Sequence, residues 1–487
     1  MTIRTRLAPS PTGFIHIGTL RTALWDYFLA RQQGGTFVIR VEDTDQERSV
    51  EGALEGLLRT LATVGITHDE GPFLSEDGSL HEVGEYGPYI QSARLPLYRK
   101  YVDELLHKGF AYVCFCSSEE LETMRAQQMA AKQNPKYDRR CLKVGGEEVA
   151  RRVAAGESHV VRMKVPEGTS EFVDAIRGHI EFNNADVDDQ ILMKSDGRFP
   201  TYHLAVVVDD HLMGITHVLR GEEWISSTPK QIILYKMFGW DMPVHAHVPL
   251  LLNPDKTKLS KRKGDVSVES YLAKGYVPEA LLNFIATLGF NPTSDREIFT
   301  MDELVAAFDL AKVNKSGAVV NMEKLDWMNH QYLMKMSEDD LLAAARPFLH
   351  VEGDTAVIRR AIMVERMRVN RLDEFAAHIA PYVAQPEYPA DLLVWKKADA
   401  PDAKKSLEGV RSVVSGLADD SLASPELIDT AIREYIMTNG LQNGNVLWPL
   451  RVALSGQEKS ASPFELVWAL GKDLSLERIN IALDKLT

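Results

Sequence analysis

Cysteine is scarce in this chain: three residues, Cys114, Cys116 and Cys141, in 487. Three thiols cannot build a disulfide framework, and they suit a reducing compartment. Long apolar runs are lacking too, and none approaches the ~20 residues that a membrane-spanning helix needs. Met1-Thr2-Ile3-Arg4 leads straight into a strand-like stretch, so no secretory signal peptide and a cytoplasmic location are expected. There is no internal repeat and no low-complexity tract. No G-x-x-x-x-G-K-[ST] occurs, which argues against a P-loop nucleotide site. Excess positive charge is missing: the formal net charge is −14. That counts against a general nucleic-acid coat and leaves local basic strips open.

What remains is ordinary globular composition, 45% hydrophobic and 25% charged, over a length that suggests about three domains. The chain is organised around Ala8-Pro9-Ser10-Pro11-Thr12-Gly13-Phe14-Ile15-His16-Ile17-Gly18-Thr19. Thr2 to Leu7 before it reads as a strand. After it, Leu20, Leu24, Tyr27 and Phe28 recur at helical spacing and predict a helix from Leu20 to about Gln33. Gly34-Gly35 stops that helix, and Thr36 to Val41 reads as a second strand. A turn with proline and glycine thus feeds a helix N-terminus, whose unpaired N–H groups and positive dipole end suit a phosphate. His16 adds a side-chain donor there. A lone H-x-G has a plainer reading, a βαβ unit with a stray histidine. A second phosphate-type element weighs against it: Lys256-Thr257-Lys258-Leu259-Ser260-Lys261-Arg262-Lys263-Gly264, after an Asn253-Pro254-Asp255 turn.

Glu42-Asp43-Thr44-Asp45 closes the second strand, where carboxylates face the ligand crevice of a doubly wound sheet. A helix is expected from Ser49 to Thr63, loop from His68 to Tyr89, and a helix from Leu97 to Lys108. Residues from about 96 to 190 look like an insertion. Within it, Phe110 to Val113 reads as a strand leading into Cys114-Phe115-Cys116, and Cys141 follows. Their thiolates suit zinc; Tyr137 is the nearest candidate for a fourth ligand, and His159 is a remote one. The alternative is three half-buried thiols. His159 to Val165 alternates as a strand, and Ile191 to Lys194 is expected to resume the catalytic sheet. Pro200-Thr201-Tyr202-His203 opens an apolar run that ends in Asp209-Asp210-His211. Thr216 to Arg220 and His247 to Leu252 read as strands, with Gly221-Glu222-Glu223-Trp224 at the carboxyl end of the first. Two βα halves around an insertion make a split Rossmann-like domain. From about 265 onward strands vanish and helix follows helix. Ile358 to Arg371 holds five arginines and one glutamate, a candidate face for an anionic partner or else solvated helix surface.

Together these residues resemble the bacterial-type glutamyl-tRNA synthetases, a family of class I aminoacyl-tRNA synthetases. The matching pieces are Pro9 to Gly13 with His16 to Thr19, Glu42 to Asp45, Pro200 to Leu204, Arg220 to Trp224, and Lys258 to Arg262. The likeness runs nearly the full length, helical tail included. It implies an α/β plus all-α protein with a split Rossmann-like catalytic domain at 1–95 and 191–255. It further implies an inserted acceptor-binding domain at 96–190, a stem-contact domain with the lysine loop at 256–337, and an all-helical anticodon-binding region at 338–487. The implied partners are L-glutamate, ATP with Mg²⁺, and tRNA(Glu), with no membrane; a monomer with one structural zinc is expected.

Residue roles follow the same resemblance. His16, Gly18, Lys258 and Lys261 would be catalytic. Pro11, His16, Gly18, Thr19, Glu223, Trp224, Lys258, Ser260 and Lys261 would bind ATP. Arg6 and Tyr202 would hold the side-chain carboxylate of glutamate, Arg220 its α-carboxylate, and Glu42 with Ser10 its ammonium, with Ala8 alongside. Thr44, Asp45, Arg366 and Arg368 would face tRNA, with Arg368 at the third anticodon base. Cys114, Cys116, Tyr137 and Cys141 would hold zinc, a departure from the Cys-x-Cys…Cys-x-His form of some members. A glutamyl-queuosine synthetase shares the catalytic motifs but lacks the long helical tail. A glutaminyl-tRNA synthetase is expected to carry a β-rich tail. An enzyme that also charges glutamine tRNA stays open. A catalytically silent RNA-binding relative sits badly with intact His16, Gly18, Lys258 and Lys261.

Overall fold

The structure is a computed structural model and describes residues 2–259, 266–293, 295–396 and 398–487. Ser260 and Lys261 of the basic loop lie outside the described residues. The chain forms two compact units, Met1–Tyr271 with Leu281–Met322, and Leu272–Ala280 with Glu323–Thr487. The stretch 256–337 contributes to both. No described helix is long and apolar enough to cross a membrane.

The first unit is built on parallel strands. Arg4–Leu7 pairs with Thr36–Ile39, from Arg4↔Thr36 to Leu7↔Ile39. On its other side the Thr216 N–H donates to the Arg4 carbonyl at 3.0 Å, which brings His217–Gly221 alongside. His217–Gly221 pairs in parallel with Val244–Val248. These strands are buried runs rather than alternating ones, as expected where both faces of a parallel sheet are covered: Leu7, Phe37, Val38, Ile39, Val218 and Leu219 are all core. In spatial order the strands run Thr36–Ile39, Arg4–Leu7, His217–Gly221, Val244–Val248. The winding direction reverses between Arg4–Leu7 and His217–Gly221, and a doubly wound sheet opens its ligand crevice at that point.

Several expectations need correction. The first helix is Ile17–Gln32 and starts earlier than its apolar spacing suggests, because His16 caps it. The stretch 68–89 is not all loop: Gly71–Leu74 and Leu80–Val83 form an antiparallel hairpin. Ile191–Met193 is a strand but does not resume the catalytic sheet. It pairs with Val160–Met163, which pairs in turn with Ala111–Cys114. Partner choice is a long-range matter that local apolar pattern does not encode. The final catalytic strand is Val244–Val248, upstream of the expected His247 start; beyond it Leu251–Leu252 pairs in parallel with Ala318–Val319, a short strand past residue 265 where none was expected. A hairpin of Thr169–Asp174 and Gly178–Asn183, unforeseen in the sequence, joins the main sheet through Asp174↔His245.

The second unit is helical around one core that includes Leu333, Ile362, Phe375, Leu407, Ile432 and Leu450. Its basic stretch is only partly helix: Thr355–Glu365 ends before Arg366, Arg368 and Arg371.

In the first unit, the helix Tyr202–Leu212 is tied to the opening half through Asp209, which is fully buried. Its carboxylate accepts from Arg94 Nε at 2.7 Å, Tyr98 Oη at 2.7 Å and Gln91 Nε2 at 2.9 Å. Removing one member of a buried pair strands the other charge, at a cost of about 3–5 kcal/mol. Asp209→Ala should therefore lower the urea midpoint of the α/β unit by that equivalent. Tryptophan fluorescence and far-UV dichroism would follow it, and an unchanged midpoint would refute the role given to Asp209.

Candidate functional site

The first helix begins at the carboxyl end of its strand, and His16 is its N-cap. The Gly18 N–H donates to His16 Nδ1 at 2.9 Å. A neutral imidazole that accepts at Nδ1 carries its proton on Nε2. A Cβ at Gly18 would lie 3.1 Å from that Nδ1, so any side chain there displaces the ring. The turn is pinned from outside: Ile17 N–H donates to the Val266 carbonyl and Val268 N–H to the Ile15 carbonyl, each at 2.9 Å. On the near side of the basic loop, Leu259 N–H donates to the Leu251 carbonyl at 2.9 Å. The His16 turn is thus hydrogen-bonded to the far flank of the lysine loop, while the near flank is bonded to Leu251–Leu252.

A cleft of about 820 Å³ opens at the switch point. Arg6, Ala8 and Ser10 line it from the first strand and its exit, and Glu42, Thr44 and Asp45 from the second. His16, Gly18 and Thr19 line it from the helix start. Tyr202, Arg220, Glu223, Trp224 and Lys258 complete the sequence-derived set. Pro11 is not among the lining residues; its carbonyl accepts the Val50 N–H at 2.9 Å. Tyr202 and Trp224 pack with ring centroids 4.6 Å apart, and Lys258 Nζ lies 3.4 Å from Glu223 Oε1.

The electrostatics of the cleft are uneven. Arg6 Nε and Arg40 Nη1 share Asp210 Oδ1, at 3.2 and 2.6 Å. Arg40 also reaches Glu42 Oε1 at 3.2 Å. Burial pushes the Glu42 carboxyl up to about 7, against the pull of Arg40 and Arg6. Arg220 is different. Its Nη1 donates to Gln231 Oε1 and its Nη2 to Thr228 Oγ1, both at 2.8 Å, and its Nε to His247 Nε2 at 3.0 Å. All three acceptors are neutral, so this buried guanidinium has no carboxylate partner among the described residues. Burial lowers its pKa. Behind it, His247 Nδ1 lies 2.6 Å from Asp174 Oδ2.

Arg21, His247 and Asp174 were not singled out in the sequence. Arg21 lines the cleft and gives Nη1 to the Leu288 carbonyl at 3.1 Å and Nη2 to the Pro249 carbonyl. Burial lowers its pKa to about 10. Its position one turn into the His16 helix was the available signal. No local signal marked the other two, because their partners are dozens of residues away.

In the inserted stretch the Cys114, Cys116 and Cys141 sulfurs all lie within 4.8 Å of one another. Tyr137 Oη sits among them, 3.3 Å from Cys114 Sγ and 3.4 Å from Cys116 Sγ, and accepts the Cys141 N–H at 3.1 Å. A tetrahedral zinc with Zn–S of about 2.3 Å holds its sulfurs about 3.8 Å apart, so these donors fit one ion. His159 is turned elsewhere, with Nδ1 2.8 Å from the Glu157 carbonyl. Arg162 stacks over the Tyr137 ring at 4.1 Å.

In the helical unit, Arg368 lines a pocket of about 440 Å³ with Glu365, His378, Tyr382 and Lys459. Its Nη2 reaches Glu465 Oε2 at 3.3 Å. Arg366 does not line that pocket and gives its guanidinium to the carbonyls of Met334 and Met336.

Comparison with known proteins agrees with this architecture. Residues 2–327 match the tRNA synthetases class I (E and Q), catalytic domain, and residues 340–483 match an anticodon binding domain. A glutamate–tRNA ligase of Chloroherpeton thalassium is 44% identical, covering 100% of this chain and 98% of that protein. One of Clostridioides difficile is 42% identical, with 98% of each covered. A crystal structure of a glutamate tRNA ligase from Elizabethkingia meningosepticum, in complex with its amino acid, superposes with a TM-score of 0.89 at 34% identity over 100% of both chains. The chain belongs to the class I tRNA synthetases of the E and Q type, glutamate and glutamine.

Proposed function

We propose that this chain is a glutamate–tRNA ligase that makes glutamyl-adenylate from L-glutamate and ATP and passes the glutamyl group to tRNA(Glu). The observation that carries this reading is the charge layout of one cleft. An amino acid offers an anion and a cation; the cleft offers Arg220, a buried guanidinium without a carboxylate partner among the described residues, and Glu42, a carboxyl whose pKa burial raises to about 7 and which is the anion above that pH. Glutamate has a second carboxylate, and Arg6 with Tyr202 is the second recognition point. A guanidinium favours that carboxylate over the neutral amide of glutamine through charge-assisted bonds.

In the first step an α-carboxylate oxygen of glutamate attacks the α-phosphorus of ATP, and the bond to the bridging oxygen of pyrophosphate breaks. The protein positions the reactants and meets the charge that grows on phosphate oxygens. His16, Gly18 and Thr19 receive the phosphates at the helix start; Glu223 and Trp224 take the adenosine; Lys258 and Lys261 neutralise the departing pyrophosphate, with Ser260 also binding ATP. Mg²⁺ arrives with ATP. In the second step the terminal ribose hydroxyl of tRNA attacks the glutamyl carbonyl and AMP leaves. Thr44 and Asp45 stand at the tRNA side of the cleft. The division of labour follows the stretches named above: 1–95 with 191–255 for catalysis, 96–190 for the acceptor end, 256–337 for the stem and 338–487 for the anticodon. A cytoplasmic monomer completes the reading.

The pyrophosphate-exchange rate should depend on both glutamate and tRNA. An exchange rate that ignores either substrate refutes the assignment. Glu42 must be ionised to hold an ammonium, and its raised pKa means that it protonates as pH falls through about 7. kcat/KM for glutamate should therefore fall on the acid side of about 7. Glu42→Gln should abolish that limb and lower kcat/KM roughly 10- to 100-fold, the worth of a charge-assisted bond. A pH profile identical in mutant and parent removes Glu42 from the site.

The four donors Cys114, Cys116, Tyr137 and Cys141 are proposed to hold one structural zinc, which when bound braces the inserted stretch. Metal binding of this kind is coupled to local folding. Metal-replete protein should contain one zinc per chain by elemental analysis, and Cys116→Ala should contain far less. Zinc well under one equivalent in the parent protein refutes the site.

Arg368 is proposed to reject glutamine tRNA. Cytosine at the third anticodon position offers acceptors on its Watson–Crick edge, and guanine there presents donors to a guanidinium. The mismatch should cost about 1–3 kcal/mol. Arg368→Gln should raise glutamylation of glutamine tRNA relative to glutamate tRNA. Equal loss on both transcripts would reduce Arg368 to a backbone contact.

A further inference from the structure

We propose that Asp174 and His247 are positioning residues that aim Arg220 at the α-carboxylate of the amino acid, by locking His247 in a single tautomer. The inference rests on the reading of the cleft as a glutamate site. The three residues come from three strands that are neighbours only in the folded sheet. Arg220 is on His217–Gly221, His247 on Val244–Val248, and Asp174 on the inserted hairpin. All are buried, at 6%, 0% and 1% exposure.

The protons along this line are fixed by chemistry. Arg220 Nε carries a hydrogen under all conditions, so His247 Nε2, 3.0 Å away, must present a lone pair. The His247 proton then sits on Nδ1, 2.6 Å from Asp174 Oδ2. An ionised carboxylate only accepts, so it forces that tautomer. Asp174 itself cannot turn: Oδ1 accepts the Ile176 and Arg177 N–H groups at 3.0 and 2.9 Å, and Oδ2 also accepts the His247 N–H at 3.0 Å. The Phe172 ring packs edge-on against that of His247, with centroids 5.9 Å apart. With the proton on Nε2 instead, two donors would face each other at Arg220, and its guanidinium would swing away. A chain with no charge opposite Arg220 keeps that charge available to the substrate, whereas a carboxylate in His247's place would neutralise it.

Two variants separate positioning from packing. Leu at 247 fills space and makes no hydrogen bond. Gln at 247 accepts from Arg220 through Oε1 and donates to Asp174 through its amide. His247→Leu should raise KM for glutamate in pyrophosphate exchange roughly 10- to 100-fold, the scale of a lost bond to a charged group, with kcat and the KM for ATP changed far less. His247→Gln should recover most of that loss. Asp174→Asn keeps an oxygen for the hairpin but can offer a donor to Nδ1, so it should raise KM as His247→Leu does. Histidine side-chain ¹⁵N spectra, assigned by the signal lost in His247→Gln, should show Nδ1–H in the parent and Nε2–H in Asp174→Asn. An Nε2–H or doubly protonated His247 in the parent at pH 7.5 overturns the proposal. So does an unchanged KM in His247→Leu, or a His247→Gln as impaired as His247→Leu. If His247→Leu does not fold, the Asp174→Asn and His247→Gln pair decides the matter. A parent protein without glutamate-dependent exchange would sink the ligase reading instead, and the spectra would still report whether Asp174 sets the tautomer.

Discussion

One buried carboxylate, Asp210, joins the two halves of the catalytic sheet. It is 3% exposed and lies between Arg6, on the first strand, and Arg40, just past the second. Burial alone would raise its pKa; Arg40 and Arg6 overcome that and hold it below the usual carboxylate range. Such a triad is a poor source of net stability, since desolvation consumes most of the Coulomb gain. Its effect is on alternatives. Any packing that separates the helix Tyr202–Leu212 from those strands leaves bare charges in the core, so the two halves join in one way. That single joining sets Arg6 at the cleft wall and Glu42 beside Arg40. Asp26 shows the limit of the arrangement: it is fully buried near Arg6 and Asp210, neither carboxyl oxygen has a hydrogen-bond partner among the described residues, and burial pushes its pKa well above the usual carboxylate range.

The parts of the site that were legible in the sequence are those whose chemistry is local. A turn into a helix start needs glycine and a cap, so His16 and Gly18 stand out in twelve consecutive residues. Carboxylates at a strand exit follow from the winding rule, which places Glu42; the role of Arg220 came from the family resemblance. Strand existence was mostly readable from apolar pattern; strand partnership was not. Ile191–Met193 looks the same in sequence whichever neighbour it takes, and its neighbour is Val160–Met163. The hairpin Thr169–Asp174 with Gly178–Asn183 has few apolar residues and mostly exposed or half-buried side chains, a weak signal for a strand. Missing it meant missing Asp174, and with it the line to Arg220.

Charge in sequence and charge available to a partner also came apart. Five arginines between 358 and 371 suggest a strongly basic face. In the fold Arg359 pairs with Glu338 and Asp339, Arg360 donates to the Trp468 carbonyl, and Arg371 pairs with Asp373 and Glu374. Arg366 is spent on backbone carbonyls. Arg368 lines a pocket and is itself paired with Glu465. The cysteine cluster is the opposite case: Tyr137 was an uncertain fourth ligand in sequence, and in space its hydroxyl is within hydrogen-bonding distance of two sulfurs.

The inserted hairpin does more than supply Asp174. Val244–Val248 would otherwise end the parallel sheet with open main-chain groups. Instead the Ala175 N–H donates to the His245 carbonyl at 2.8 Å, and the Asp174 carboxylate takes the His247 N–H. An uncovered edge of this apolar kind is a template for chain-to-chain pairing and aggregation. A minimal catalytic fragment made by cutting out residues 96–190 would expose that edge. Solubility of the catalytic sheet is thus vested in the segment that interrupts it, and shortening the protein would have to replace the hairpin or recharge the strand beneath it.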